Sequence, residues 1–227
     1  RTYAPDVLPM WVAEMDVALH PAVAAAVGEA LTRGDTGYPH GTAYAEAFAA
    51  MAATRWSWEL DTAAQARRAG DVMNSILAVL EASTDPGDAV VINPPVYPPF
   101  RQVVSGYRRR ITEAPLSASG RLDLTTLEAA FSGPDRPRAY LLCSPHNPTG
   151  VVHTPAELAA VMELAARYDV QVVVDEIHAP LGDPGTTFVP LLTVPGGERA
   201  VSVTSAGKTW NLAAFKAGLI IAGTEAT

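Results

Sequence analysis

The chain has 227 residues, of which 48% are hydrophobic, and its formal net charge is −8. The length suits one large domain or two small ones, and the acidic balance argues against nucleic-acid or anionic-membrane partners, which attract clustered Lys and Arg. The single cysteine, Cys143, excludes an internal disulfide framework and favours a reducing, cytoplasmic setting.

Helices and short apolar strands alternate along the predicted chain. The sequence predicts an extended arm at residues 1–20 and one large domain at residues 21–227. Uniformly apolar strands between helices are typical of a mainly parallel sheet covered on both faces, which is an α/β fold. Thr154, Pro155 and Glu157 predict a capping box at one helix start. Helices are predicted at 21–33, 44–56, 72–84 and 155–168, and strands at 89–93, 139–144, 170–174, 200–204 and 217–222.

Both ends of the sequence suggest a longer protein. The first residue is not methionine, no hydrophobic signal region follows it, and no apolar run reaches the ~20 residues of a membrane helix. The last residues stop just after a predicted strand. We therefore expect the chain to continue beyond both ends.

Chemically rich segments follow four of the predicted strands. In open α/β sheets, ligands bind outside the carboxyl ends of the strands. We therefore expect a site at this edge of the sheet. The segments are PPVY at 94–97, PHNPTG at 145–150, DEIH at 175–178 and SAGK at 205–208.

The two lysines stand out because the chain has fourteen arginines but only Lys208 and Lys216. Arginine keeps its proton at any ordinary pH, whereas a lysine amine can lose it and attack a carbonyl group. Lys208, in the small-residue loop after the predicted strand 200–204, is therefore a candidate nucleophile. Lys216 is predicted to be a surface or cleft-edge charge.

Several other kinds of site fit the sequence poorly. A phosphate loop ending at residues 207–209 would need glycine where Ser202 lies inside a strand. No G-x-G-x-x-G segment is present, and the histidines and the cysteine lack metal-ligand spacing. No G-x-S-x-G elbow supports a Ser/His/Asp triad, although a triad of distant residues stays open.

Pyridoxal phosphate fits these residues better. That cofactor needs a lysine, a carboxylate facing its pyridine nitrogen and a phosphate cradle at a helix N-terminus. Lys208, Asp175 and Ser205 provide such groups at successive strand ends. Taken singly, Asp175 could be a strand-end cap and Ser205 an ordinary turn residue, but the combination favours the cofactor.

Motifs in a fixed order resemble the fold-type I pyridoxal-phosphate enzymes, the aspartate-aminotransferase-like superfamily. They are SPHNPTG at 144–150, VVVDEIH at 172–178 and TSAGKTWN at 204–211. LPMWVAEMD at 8–16, TGYP at 36–39 and PPVYPPF at 94–100, with DEIH, more narrowly resemble the MalY/PatB branch of cystathionine β-lyase-like C–S lyases. The resemblance extends from about Leu8 to the last residue. It implies a three-layer α/β/α large domain of the PLP-dependent transferase type, working as a homodimer with shared active sites.

The resemblance also implies a role for each matching residue. Lys208 would bind the cofactor and then move the Cα proton of the substrate, and Asp175 would pair with the pyridine nitrogen. Tyr38 would reach across to the cofactor phosphate that is bound in the neighbouring subunit. The other implied contacts are Asn147 at the phenolic oxygen, Tyr97 stacked on the ring, Ile177 and His178 on the opposite face, Ser205 with the Val72 and Met73 amides at the phosphate, and Trp11 and Ala13 beside the substrate pocket.

Some of these residues also have ordinary structural explanations, and the chain departs from the branch in places. Asn147 could be a turn residue before proline, and Tyr97 a core aromatic. The branch has glycine where this chain has Asp71, whose charge would repel a phosphate unless it points away, and serine where this chain has Gly207. Family members also continue into a smaller domain that holds the arginine for the substrate carboxylate, and we expect that domain to be missing from this chain.

The sequence thus predicts a C–S β-lyase that cleaves cystathionine or a similar cysteine S-conjugate to a thiol, pyruvate and ammonia. An aminotransferase would use the same residues and is the alternative. A non-catalytic regulatory or binding protein that retains the fold is a third possibility, motivated by Asp71 and Gly207.

Overall fold

The computed structural model of the chain describes residues 3–4, 6–8, 10 and 12–224. Helices and strands alternate along most of this part. The α-helices are α1 (Pro21–Thr32), α2 (Ala43–Trp56), α3 (Thr62–Gln65), α4 (Val72–Ser83), α5 (Pro99–Gly106), α6 (Leu124–Ser132) and α7 (Pro155–Tyr168). The strands are β1 (Ala66–Ala69), β2 (Ala89–Ile92), β3 (Arg110–Glu113), β4 (Ala139–Cys143), β5 (Gln171–Asp175), β6 (Val201–Thr204) and β7 (Gly218–Ala222).

The strands form one mixed sheet in the order β1-β7-β6-β5-β4-β2-β3. Strand β7 runs antiparallel to both of its neighbours, and the remaining pairs are parallel. The predicted mainly parallel sheet is therefore confirmed. In the register, Asp175 lies between Cys143 of β4 and Val203 of β6, so the carboxyl ends of these three strands are side by side.

Helices cover both faces of the sheet. Alternate residues of β4 and β5 point to opposite faces, as the period of two in a strand requires. Leu142 and Val174 pack with α6 and α7 on one face, and Leu141 and Val173 pack with α4 and α5 on the other. These side chains are fully or almost fully buried. The predicted three-layer α/β/α arrangement is confirmed.

The sequence patterns located the central elements but missed the edges of the sheet. Helix α7 spans the predicted residues, and its capping box between Thr154 and Glu157 is present. The missed strands β1 and β3, with sequences ARRA and RITE, lie at the two edges, where charged residues are common. Helices α3, α5 and α6 were missed as well.

Arg109 differs from the other two arginines of the run at residues 108–110. Its side chain is buried, and its guanidinium donates to the Thr84 carbonyl at 2.7 Å and to the Thr84 hydroxyl at 3.0 Å. Arg108 and Arg110 are exposed. A buried guanidinium is tolerated here because the two Thr84 groups and the Tyr107 carbonyl, at 2.8 Å, accept a hydrogen bond from each of its three nitrogens.

Residues 12–20 form an exposed segment without helix or strand, in keeping with the predicted arm. Helix α1 follows it and has no buried residue. Within the described part of the chain, no helix is both long enough and apolar enough to cross a membrane.

Candidate active site

A cleft of about 670 Å³ opens at the carboxyl ends of β4, β5 and β6, beside the start of α4. Among the predicted site residues, ten line it: Ala13, Val72, Met73, Tyr97, Asn147, Asp175, Ile177, His178, Ser205 and Lys208. Tyr38 does not line the cleft and is fully exposed. Trp11 lies outside the described residues.

Lys208 lies in the loop between β6 and β7. Its side chain is partly exposed, and its Nζ donates to the Ala13 carbonyl of the arm at 3.2 Å. Ser205, at the start of this loop, donates its hydroxyl to the Ala217 carbonyl at 2.6 Å and accepts from the Gly207 amide at 3.0 Å. The Ser205 hydroxyl therefore closes the loop, and its proton is already engaged.

Asp175 is the acidic group of the cleft. It ends β5 and is only 4% exposed, and its carboxylate accepts one hydrogen bond, from the Ile177 amide at 3.0 Å. Burial raises the pKa of Asp175 to about 7, against the opposing effects of that amide and of the Lys208 ammonium. A group that carries a proton or a positive charge would therefore be stabilised beside it.

The Tyr97 segment and the Asn147 segment are joined across the cleft. The Tyr97 amide donates to the Asn147 carbonyl at 3.0 Å, and the Tyr97 ring packs edge-on against Phe100 with centroids 6.0 Å apart. Burial raises the pKa of the Tyr97 phenol. Burial, together with the Lys208 charge, lowers the pKa of His178. Both side chains are therefore neutral at pH 7 and present uncharged rings to the cleft.

Asp71 occupies the N-cap of α4, where its carboxylate accepts from the Asn74 amide at 2.8 Å. The Lys216 ammonium lies 3.0 Å from the other carboxylate oxygen. Burial acts to raise the pKa of Asp71, but the Asn74 amide and the Lys216 charge outweigh it and lower that pKa. The negative charge of Asp71 is thus compensated within the protein by Lys216, which also lines the cleft.

Two polar residues near the cleft were not among the predicted site residues, namely Glu176 and Asn211. Glu176 is buried, and it accepts from the Leu191 amide at 2.8 Å and the Ser202 hydroxyl at 2.6 Å. Burial raises the pKa of Glu176 to about 7. Asn211 pairs with both backbone groups of Met15, at 2.9 and 3.2 Å, and so fastens the arm to the lysine loop. An acidic residue after an apolar strand was a usable signal for Glu176, but nothing local pointed to Asn211.

A second hollow of about 540 Å³ adjoins the cleft and shares Asn147 and His178 with it. Asp183 and Thr186 are among its polar lining residues. The cleft therefore continues past Asn147 and His178 into a further space lined partly by polar residues.

The aminotransferase class I and II family profile matches residues 6–227 of this sequence. A Mycobacterium leprae (strain TN) protein, provisionally named a cystathionine beta-lyase, is 52% identical over 232 residues, covering 100% of this chain and 58% of that protein. Cystathionine beta-lyase PatB of Bacillus subtilis (strain 168) is 34% identical over 222 residues, covering 95% of this chain and 57% of PatB. The chain thus spans less than two thirds of the length of these relatives.

Solved structures agree with the architecture described above. Cystalysin from Treponema denticola, whose crystal structure contains pyridoxal 5'-phosphate, matches with a TM-score of 0.89 and 27% identity. That match covers 96% of this chain and 57% of cystalysin. The fold class predicted from the sequence is the fold of these structures.

Proposed function

The chain belongs to the class I and II aminotransferase family, and from this membership we propose that it acts as a pyridoxal-phosphate-dependent C–S β-lyase. Its substrate would be cystathionine or a similar cysteine S-conjugate, cleaved to a thiol, pyruvate and ammonia. The observation that carries the proposal is that Lys208 and the buried Asp175 line the same cleft. The free Cys143 suits the reducing cytoplasm, which we propose as the compartment.

The cleft residues fit the cofactor chemically. A volume of about 670 Å³ is in the range of small-molecule sites. Asp175, with a pKa near 7, suits a protonated pyridine nitrogen, because each group lowers the cost of the other's charge. Val72 and Met73, the first two residues of α4, line the cleft, and backbone amides at the start of a helix suit a phosphate group. The contact with Lys216 reduces the repulsion that Asp71 would exert on that phosphate.

Pyridoxal phosphate, when bound, supplies an aldehyde that condenses with amines and an electron-poor ring that accepts the electron pair of a broken Cα–H bond. Lys208 provides the amine that holds the cofactor. With the substrate amine bonded to the cofactor in its place, the Nζ of Lys208 would be free to accept the Cα proton. Loss of the thiol, protonated as it leaves, and the addition of water would complete the cleavage to thiol, pyruvate and ammonia.

In this assignment the other cleft residues orient the reacting groups. Asn147 would donate to the phenolic oxygen, Tyr97 would stack on one face of the ring, and Ile177 with His178 would line the other. Ser205 would have to release the Ala217 carbonyl before its hydroxyl could donate to a phosphate. We therefore assign Ser205 mainly to holding the loop, with the α4 amides and Lys216 as the phosphate contacts.

The second hollow supports a substrate with an extended group on sulfur. It continues from the cleft past Asn147 and His178, and Asp183 and Thr186 give it polar character. A cysteine conjugate with a polar substituent would place that group there. Ala13, with the arm of residues 1–20, would border the substrate side of the large domain at 21–227.

Cofactor trapping tests the proposal directly. The 227-residue chain is incubated with pyridoxal phosphate, reduced with borohydride, digested and mapped by mass spectrometry. We expect the adduct on Lys208, and no adduct there in Lys208→Ala. An adduct confined to Lys216, or a protein that stays colourless with the cofactor, would overturn the assignment.

An activity assay distinguishes the lyase from its alternatives. Thiol and pyruvate released from cystathionine without a keto-acid acceptor identify the lyase, whereas turnover that requires an acceptor identifies an aminotransferase. Trapping at Lys208 without either activity would favour a regulatory or binding protein.

We also propose a homodimer with shared active sites. Support comes from Tyr38, whose side chain is fully exposed, and from α1, which has no buried residue. If Tyr38 completes the partner's site, mixing inactive Lys208→Ala with weakened Tyr38→Ala should restore some activity in the mixed dimers. Activity that does not rise above that of the separate variants would contradict shared sites.

A further inference from the structure

The two ends of the loop that carries Lys208 meet at one side chain, that of Tyr44. The Tyr44 hydroxyl accepts from the Ala206 amide at 3.0 Å and donates to the Ala217 carbonyl at 3.3 Å. Ala206 precedes Lys208 by two residues, and Ala217 comes directly before β7. The Ser205 hydroxyl donates to the same Ala217 carbonyl. One phenol therefore joins both ends of the loop.

Helix α2 provides a firm support for this phenol. Ala45 and Ala52 of α2 are buried against Leu219 and Ile221 of β7, so the helix is packed on the sheet from which the loop emerges. Since packed side chains in an interior have little freedom to move, Tyr44 has a fixed position relative to the strands. The two ends of the loop are thus fixed to the packed helix α2, each through one hydrogen bond to Tyr44.

The surroundings of Tyr44 explain why the hydroxyl itself matters. The residue borders a small, largely apolar hollow of about 210 Å³ together with Phe48, Met51 and Trp210. A phenylalanine would suit such a place, and a hydroxyl in apolar surroundings is costly unless it is hydrogen-bonded. Both hydrogen bonds of this hydroxyl go to the lysine loop. The Tyr44 hydroxyl therefore serves to hold the lysine loop.

We infer that Tyr44 is a positioning residue for Lys208, an inference that rests on the proposed function. By holding Ala206 and Ala217, the Tyr44 hydroxyl fixes the loop so that the Lys208 amine points into the cleft beside Asp175. Small displacements of a reacting group matter, since an error of about 1 Å can reduce a rate on the order of a hundredfold. Tyr44 touches neither cofactor nor substrate and acts through the loop.

The test compares Tyr44→Phe with Tyr107→Phe, two variants that each remove one phenol oxygen. Tyr107 is 44% exposed, and its hydroxyl makes no hydrogen bond within the described part of the chain. In the cofactor-free chain, hydrogen exchange followed by mass spectrometry should be roughly tenfold faster in the 205–217 segment of Tyr44→Phe, as expected for two lost hydrogen bonds. Tyr107→Phe should exchange like the original protein there.

The second measurement asks whether the amine itself is displaced. Each variant is treated briefly with pyridoxal phosphate and borohydride, and the ratio of labelled Lys208 peptide to a lysine-free peptide from outside residues 205–217 is read from the same digest. We expect this ratio to fall about tenfold in Tyr44→Phe, in line with the loss of alignment, and to stay unchanged in Tyr107→Phe. A reference peptide from outside the loop corrects for differences in protein amount between samples.

The outcomes separate the two proposals. If the original protein is not labelled at Lys208, the proposed function fails whatever Tyr44 does. If Lys208 is labelled equally well in the original protein and in Tyr44→Phe, the positioning role is wrong while the proposed function stands. Faster exchange with an unchanged labelling ratio would also overturn it, since the hydroxyl would then only stabilise the loop.

Discussion

Replacing Asp175 by asparagine should stabilise the cofactor-free chain while removing the group that the proposed chemistry needs. Asp175 is 4% exposed, and its one hydrogen bond comes from the Ile177 amide. Burial raises its pKa from an ordinary 3.8 to about 7 in the folded protein. The folded chain therefore carries an ionised carboxylate at pH 8 that is poorly solvated.

The size and sign of the effect follow from proton linkage. Between pH 3.8 and about 7 the folded state binds more protons at Asp175 than the unfolded state does. The free energy of unfolding therefore falls as pH rises through this window and is level above it. From pH 5 to pH 8 the loss attributable to Asp175 is about 2–3 kcal/mol. Asparagine does not ionise, so Asp175→Asn should not suffer this loss.

Urea unfolding of the cofactor-free chain at pH 5 and pH 8 measures the difference. Asp175→Asn should gain about 2–3 kcal/mol more, relative to the original protein, at pH 8 than at pH 5. Asp183→Asn, a change at an exposed aspartate, is the matched control and should show no such difference. Besides burial, the Asp175 charge helps to raise the pKa of Glu176, so removing it eases the ionisation of Glu176 and adds to the gain of Asp175→Asn at pH 8. An equal gain at both pH values, or none, would refute burial as the source of the raised pKa.

Three further predictions concern other parts of the site and its support. Burial lowers the pKa of His153 to about 4, so the unfolded chain binds the extra proton first, and the contribution of His153 to stability falls by about 3 kcal/mol from pH 7 to pH 4. Relative to the original protein, His153→Phe should therefore gain about 3 kcal/mol more at pH 4 than at pH 7 in urea unfolding, whereas His40→Phe at an exposed site should show no such difference. Lys216→Met should change the unfolding free energy by less than about 1 kcal/mol, because the pair with Asp71 is partly solvated. It should nevertheless weaken the binding of pyridoxal phosphate in equilibrium titrations, and an unchanged affinity would contradict the compensating role of Lys216. Asn211→Ala removes both contacts to the arm, so amides at 12–17 should exchange several-fold faster, and unchanged exchange would show that the arm is held elsewhere.

The central sheet could be predicted because its strands are buried on both faces. Strands β2 and β4 consist wholly of buried residues, so they appear in the sequence as continuous apolar runs. Edge strands β1 and β3 have one open side and carry charged residues, which remove that signal. Arg109 gives no local signal of burial either. Its burial depends on Thr84, a partner that no local pattern reveals.

The candidate site also has a part that could be predicted from the sequence and a part that could not. Lys208, Asp175 and Asn147 come directly after apolar strands, so the edge of the sheet that brings them together could be predicted. The contacts that hold them could not, because they join residues far apart in sequence. The pair of Lys216 with Asp71 spans 145 positions, and the bond from Ala206 to Tyr44 spans 162. Such contacts depend on the packing of α2 and α4 on the sheet.

These long-range contacts converge on the loop between β6 and β7. Tyr44 holds the ends of the loop, Lys216 compensates the charge at the start of α4, and Asn211 fastens the arm. Lys208 lies within the same loop and contacts the arm as well. The local stability of a segment depends on the contacts that it makes. Removing any one of these contacts should therefore make the position of the Lys208 amine less fixed. This arrangement also accounts for the lysines of the chain: both lie in this loop, one able to react at a carbonyl and the other offsetting an acidic cap.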